Sequence, residues 1–336
     1  LSARQPSPGE LLDAAIAKDR VSLARLLSVV ERGGEQTGEL ARLVYSSEPP
    51  YTVGITGAPG SGKSTLTNQL VRAARGGWTE PAEAVPQVAV LAVDPSSPFS
   101  GGAILGDRVR MQDHATDPSV FIRSMATRGH LGGLALAVPD AVRVLGAAGF
   151  PLVFVETVGV GQMEVEIASA ADTTVVVVTP GWGDAMQANK AGLLEIADLF
   201  VVNKADRPGV NEARRDLEQM LDLSAATDWR PPVLTTVAST GEGVDELWAA
   251  VGSHRAHLAG TGALGRRREA RVAQELRRVL VAKVLEEVQE IGRGGGFDEA
   301  VRAIAGGALD PYRAAEELLD AGRAALSGPR AGAAPR

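Results

Sequence analysis

Gly57-Ala58-Pro59-Gly60-Ser61-Gly62-Lys63-Ser64 is the stretch on which the reading of this 336-residue chain turns. It follows a short run rich in Val, Ile and Thr and opens a helical pattern. In that strand-loop-helix setting the spacing G-x-x-x-x-G-K-[ST] has a physical meaning. The glycines let backbone amides fold around phosphate oxygens, and the helix N-terminus adds a favourable dipole. Lys63 is placed to reach the β and γ oxygens, and Ser64 offers a hydroxyl to magnesium. Gly57, Ala58, Pro59, Gly60, Ser61, Gly62, Lys63, Ser64 and Thr65 are therefore candidate nucleotide ligands.

Outward from this loop, apolar β-prone runs alternate with longer helical stretches. Strands are predicted near Thr52 to Thr56, Val88 to Val93, Val120 to Arg123, Leu152 to Glu156, Thr173 to Thr179, Leu199 to Val202 and Val233 to Val237. Thr174 to Val178 is apolar at successive positions, as a strand covered by helices on both sides must be. The alternation predicts a doubly wound, mostly parallel α/β domain over residues 49–260. Leu11, Leu12, Ala15, Leu23, Leu26 and Leu27 recur at helical spacing and predict a pair of amphipathic helices in an N-terminal extension, residues 1–48. Over residues 261–336 the chain turns rich in Arg, Ala, Glu and Leu. Val272, Leu276, Val279, Leu280, Val284 and Val288 make one stripe along a long helix. Shorter helical pieces follow Gly294-Gly295-Gly296 and Pro311. This arm packs either on its own core or on a second copy of the chain.

Further strand ends carry polar motifs. Asn203-Lys204-Ala205-Asp206 follows the run ending at Val202, where doubly wound sheets bind ligands at the carboxyl ends of their strands. The Asp206 carboxylate accepts from the N1 and N2 protons of guanine. Adenine presents an acceptor at N1 and no amine at C2, so GTP is the expected nucleotide. Ala238-Ser239-Thr240, after the last predicted strand, is placed to cover the base with backbone amides. Glu156-Thr157-Val158-Gly159 has the form of a D-x-x-G switch with Glu for Asp: Gly159 senses the γ-phosphate through its amide, and Glu156 holds magnesium through water. A carboxylate ending an apolar run is costly unless it has a partner. Asp94, in Val93-Asp94-Pro95, and Asp107, in Gly106-Asp107-Arg108, are the other candidate magnesium carboxylates, each with an ordinary turn or cap as its alternative. Gln162 is the candidate for orienting the attacking water, at an unusual offset from Gly159. Lys63, Asp107, Glu156 and Gln162 make the candidate catalytic set.

Composition excludes several classes. The chain has no cysteine, hence no disulfide, thiolate metal site or cysteine nucleophile. Its net charge of -7 gives no reason to expect nucleic acid or an anionic membrane as partner. No apolar run approaches the ~20 residues of a membrane helix, and no signal-peptide pattern opens the chain, so a cytoplasmic location is expected. His254 and His257, on an amphipathic helix, and the triple Arg266, Arg267 and Arg268 are expected to be solvated.

The chain resembles the MeaB/ArgK family, GTPases that act as chaperones of adenosylcobalamin-dependent acyl-CoA mutases. The resemblance rests on GAPGSGKST from Gly57, VDPSSP from Val93, GDRVRM from Gly106, RGHLGGL from Arg128, ETVGVGQ from Glu156 and GDAMQANKAGLLEIADLFVVNKAD from Gly183. It implies a P-loop GTPase fold related to signal-recognition and metal-insertion GTPases, and a homodimer held by a C-terminal helical dimerisation arm. It further implies that GTP binding and hydrolysis gate cofactor loading, protection and repair of a mutase, with methylmalonyl-CoA mutase the family default. By position, Lys63 and Ser64 fall on phosphate and magnesium residues. Asp94, Asp107 and Glu156 fall on metal-facing carboxylates, and Asn203, Lys204 and Asp206 on guanine readers. Gly183 to Lys190, with Asp184, Gln187 and Lys190, falls on a loop that signals nucleotide state to the mutase. Trp182 and Asn189 depart from the aliphatic residues expected there. The competing readings are a nucleotide-gated scaffold without hydrolysis, a protein kinase, and a nickel-inserting GTPase. The last would need a Cys and His cluster that zero cysteines and four dispersed histidines do not offer.

Overall fold

The structure is a computed structural model. It describes residues 6–76, 87–95, 114, 116–127, 133–157, 170–181, 190–223, 228–292 and 294–327. The chain divides into two compact units, Leu1–Arg271 and Val272–Arg336.

The first unit is built on a seven-stranded sheet: β1 Tyr51–Gly57, β2 Val88–Pro95, β3 Val120–Thr127, β4 Leu152–Thr157, β5 Thr173–Val178, β6 Leu199–Asn203 and β7 Val233–Thr236. The order across the sheet is β3-β2-β4-β1-β5-β6-β7, and every pairing is parallel. All seven predicted strands are present. β2 and β3 run beyond their predicted ends, paired through Asp94 with Ala126 and Pro95 with Thr127. The chain leaves β1 for the β2 side, returns through β4, and continues on the far side with β5. β1 is therefore flanked by β4 and β5, and the carboxyl ends of these three strands form the crevice at which doubly wound sheets bind ligands.

Period-two alternation sorts the side chains. Val53 and Ile55 of β1, Leu152 and Phe154 of β4, and Val175 and Val177 of β5 face one continuous core. That core is covered by α4 (Lys63–Arg75) and α8 (Val244–Gly260). The opposite face is divided. On the β2–β4 side, Leu91, Val93, Val153 and Val155 pack with α5 (Gly133–Ala147) and with the N-terminal helices α1 (Pro8–Ile16), α2 (Arg20–Arg32) and α3 (Glu35–Val44). On the β5–β6 side, Val176, Val178, Phe200 and Val202 pack with α6 (Lys190–Ile196) and α7 (Val210–Asp222). The divide falls on β1, whose residues on that face are Thr52, Gly54 and Thr56, too small or polar to join two apolar clusters. Thr56 instead accepts from the Thr157 hydroxyl of β4 at 3.2 Å.

The N-terminal extension has three helices where periodicity predicted two. α1 starts with a Ser7 to Glu10 capping box. α3 is set apart by Gly33 and Gly34, both at positive φ; it buries Leu40 and Val44 alone among its large apolar residues, too few for a strong stripe. α9 (Ala263–Gly292) runs from the first unit into the second, where α10 (Gly295–Ala305) and α11 (Pro311–Ser327) pack together. Val272, Leu276, Val279, Leu280, Val284 and Val288 are exposed on this chain, and so are Val281 and Leu285 beside them.

Candidate nucleotide site

The quoted loop joins β1 to α4, and its glycines are fixed by contact as well as conformation. Gly57 has φ +140°, and a Cβ there would lie 2.1 Å from the Val177 carbonyl oxygen of β5. Gly62 has φ +93° and caps α4 without any side-chain hydrogen bond; its Cβ would lie 2.3 Å from the Asn203 amide nitrogen. With glycine at its N-cap, α4 has no N-cap side chain over its first turn, a condition that suits an anion.

Lys63 is buried and donates to the Gly57 and Ala58 carbonyls at 2.7 and 3.0 Å, so its ammonium curls over the mouth of its own loop. Ser64 donates to the Glu156 carboxylate at 2.5 Å. Glu156 is 1% exposed at the end of β4, beside β1 in register with Ile55. A hydroxyl and a carboxylate in contact form a small, hard, all-oxygen donor set of the kind magnesium takes, and Ser64 and Glu156 fit that ion. Asp94 has its backbone at the carboxyl end of β2, and its side chain is outside the described residues. Asp107, Gly159, Gln162, Asp184 and Gln187 also lie outside them, as does the side chain of Lys190, which opens α6.

From the other side of β1, the Asn203-Lys204-Ala205-Asp206 turn locks onto the same loop. The Asn203 amide donates to the Ser61 carbonyl at 2.8 Å, and its oxygen accepts from the Thr236 hydroxyl and the Ala238 amide, each at 3.1 Å. Lys204 takes a left-handed conformation at φ +60° and donates to the Gly60 carbonyl at 2.5 Å. Asp206 is exposed just beyond, and Thr65 is exposed on the first turn of α4. One buried amide thus fastens the phosphate loop, the carboxyl end of β6 and the Ala238 to Thr240 loop together, although these lie 142 and 35 residues from it in the chain.

These motif residues meet at the carboxyl ends of the strands. The family model for methylmalonyl-CoA mutase-associated GTPase MeaB matches residues 23–292. The chain belongs to the MeaB family. A relative from Pyrococcus abyssi whose name describes a GTPase is 46% identical over 315 residues, 92% of this chain and 95% of its own. Escherichia coli GTPase ArgK is 36% identical over 280 residues, 80% and 82% of the two chains. The mouse mitochondrial methylmalonic aciduria type A homolog is 31% identical over 335 residues, 93% of this chain and 78% of its own. A crystal structure described as LAO/AO transport system kinase has a TM-score of 0.67 at 27% identity, covering 95% of this chain and 99% of that one. The MeaB-family fold is therefore that of a P-loop GTPase.

At the opposite ends of the strands lies a second polar cluster, which corrects two expectations. Asp172 precedes β5 and accepts from the Thr52 amide of β1; Asp198 precedes β6 and accepts from the Thr174 amide of β5. Arg268 and Arg271 of α9 pair with Asp172, and Arg267 pairs with Asp198. The arginine triple is thus only partly solvated. His254 is fully buried, with Nδ1 2.8 Å from the Thr173 hydroxyl and Nε2 3.3 Å from Asp198. Thr173 in turn contacts the Tyr51 hydroxyl at 2.5 Å. Burial pushes the Tyr51 phenol up to about 12. Burial also works to raise Asp172 and Asp198, but Arg268 and Arg271 around the first, and His254 and Arg267 around the second, hold both below the usual carboxylate range. A cavity of about 640 Å³ opens beside this cluster, lined in part by Asp198, Trp229, His257 and Arg267, and it brings none of the motif residues together. The sequence signal for the cluster was an Ala-Asp pair immediately before each of two strands, Ala171-Asp172 and Ala197-Asp198.

Proposed function

We propose that this protein binds and hydrolyses GTP with magnesium, and that its nucleotide state gates adenosylcobalamin loading, protection and repair of an acyl-CoA mutase, most simply methylmalonyl-CoA mutase. The observation that carries the nucleotide half is the Asn203 amide, which ties the loop suited to phosphates to the turn suited to guanine. The family description and the mouse homolog's name support the mutase half.

In this reading the α4 amides and Lys63 hold the β and γ phosphates. The lysine exchanges its two loop carbonyls for phosphate oxygens, a trade between hydrogen-bond partners of which the charged one is the stronger. Ser64 and Glu156 hold magnesium, with Asp94 and Asp107 as further carboxylates; the ion, when bound, neutralises charge on the phosphate oxygens. Asp206 selects guanine. Gln162 orients water, Gly159 senses the γ-phosphate, and Asp184, Gln187 and Lys190 carry the signal to the partner. The exposed stripe from Val272 to Val288 pairs two copies through residues 261–336, since an apolar face of that length on a helix calls for a cover.

The test is the GTP hydrolysis rate of the purified protein, alone and with candidate adenosylcobalamin mutases, against ATP. Stimulation by one mutase with ATP inert supports both halves. Hydrolysis that no mutase stimulates discards the chaperone role and keeps the GTPase. Tight GTP binding without turnover leaves a nucleotide-gated scaffold.

A further inference from the structure

The loop after β7 is held from two sides. Asn203 holds it from the front, and Gln69, six residues after Lys63 on α4, holds it from behind. The Gln69 amide donates to the Ala238 carbonyl at 3.1 Å. The loop also crosses directly over this side chain: at Gly241, φ +86°, an added Cβ would lie 3.6 Å from the Gln69 oxygen.

Almost every amide of the loop is already committed. Val237 donates to the Glu242 carbonyl, Ala238 to the Asn203 oxygen, Thr240 and Gly241 to the Val237 carbonyl, and Glu242 to the Thr240 hydroxyl. From Val237 to Glu242, the amide left without a partner among the described residues is that of Ser239, an exposed residue. In a trans peptide the carbonyl and the following N–H point in opposite directions. With the Ala238 carbonyl drawn toward Gln69 of α4, the Ser239 N–H is aimed away from that side chain.

We infer that Gln69 is a specificity-positioning residue. By fixing the Ala238–Ser239 peptide from α4, it aims the Ser239 amide at the 6-oxo group of a guanine nucleotide. This inference rests on the guanine reading of Asp206 proposed above and adds the other half of base recognition. Asp206 addresses the N1 and N2 protons, while the Asn203 NH2 group donates to the Ser61 carbonyl and Lys204 to the Gly60 carbonyl, both in the phosphate loop. A backbone donor facing carbon 6 accepts guanine and rejects the 6-amino group of adenine, which brings a donor against a donor. Because Gln69 sits on the helix whose N-terminus cradles phosphate, it also links the phosphate and base ends of the site through one rigid element.

The experiment compares competitive binding of GTP, 6-thio-GTP and ITP, each with magnesium, to the full chain and to its Gln69→Leu and Gln69→Glu variants. 6-thio-GTP keeps the N1 and N2 protons and weakens the acceptor at carbon 6; ITP keeps the 6-oxo group and lacks the 2-amine. Both variants remove the donor, and Gln69→Glu keeps the side chain's shape. The GTP to 6-thio-GTP preference is expected to fall roughly fivefold in both variants, the size of one net hydrogen bond, with the GTP to ITP preference unchanged. An unchanged 6-thio preference in both variants overturns the role of Gln69 and leaves the guanine reading standing. An equal fall in both preferences also overturns it, because Gln69 would then be supporting the pocket as a whole. A wild-type protein with no preference at either position removes the guanine reading itself.

Discussion

Replacing Asp172 by Asn tests the buried cluster at the amino ends of the strands. The change keeps an acceptor for the Thr52 amide and removes the charge that faces two guanidinium groups. The Asp172 side chain is 1% exposed, whereas Arg268 and Arg271 are 25% and 22% exposed. Breaking a fully buried ion pair costs about 3–5 kcal/mol. Here the arginines keep some access to water and the amide keeps one hydrogen bond, so a loss of about 3 kcal/mol is expected by the same reasoning. For a unit of 271 residues, at ~2.1 cal/mol/K of unfolding entropy per residue, this lowers Tm by about 5 °C.

The pH dependence follows from the sign of the shift. The folded Asp172 carboxyl lies below its ordinary value because the arginines outweigh burial. Its stabilisation is therefore fully present above the unfolded pKa of ~3.9 and is lost as pH falls through the lower folded value. Wild-type and Asp172→Asn melting curves should differ by the full amount at pH 7 and at pH 5, then converge below about pH 4. Calorimetry across that range checks both the size and the window. The same variant should bind GTP as the wild type does, since the cluster lies at the end of the sheet away from Lys63 and Asn203. A Tm within 1 °C of wild type at pH 7, a gap that widens on acidification, or a loss of nucleotide affinity would each refute the reasoning.

Three further outcomes follow from single contacts. Gly57→Ala places a Cβ against the Val177 carbonyl in a conformation that L residues avoid; it should cost about 3 kcal/mol or more in urea unfolding and abolish GTP binding. Asp206→Asn exchanges an acceptor pair for an amide that donates, and should move nucleotide preference from GTP toward XTP, whose 2-oxo group accepts; competition binding reads the exchange. Leu280→Glu puts a charge into the exposed stripe of α9, so sedimentation should show a single chain where the wild type sediments as a pair, with the basal GTP hydrolysis rate retained.

What the sequence made legible is what local pattern controls. The strands were readable because short runs rich in Val, Ile and Thr alternate with helical stretches, and the phosphate loop because strand, glycines and helix are contiguous. The Asn203 motif stood out through its place at a strand end. Gln69 was invisible: a glutamine in the middle of a helix is ordinary there, and its partner Ala238 lies 169 residues away. The ion pairs of the α9 arginines are hidden from the sequence for a related reason. Arg266, Arg267 and Arg268 look alike as a run, and only the positions of Asp172 and Asp198, set by strand register, separate those that find carboxylates.

The two polar clusters at the two ends of the sheet explain why β1 sits at its centre. The carboxyl end of β1 leads into the phosphate loop, where Gly57 is pressed against β5, while at its amino end the Thr52 amide is held by Asp172 and Tyr51 meets Thr173 and, through it, His254. On its other face β1 carries Thr52, Gly54 and Thr56, where larger apolar residues would join the two helix-covered cores. A strand fixed by polar contacts at both ends and loosely joined on one face resists sliding along its axis. Position along that axis is what decides whether Ser64 reaches Glu156. Loss of the lower cluster should therefore lower stability well before it alters the nucleotide site, since the upper contacts hold β1 in register independently for as long as the chain is folded.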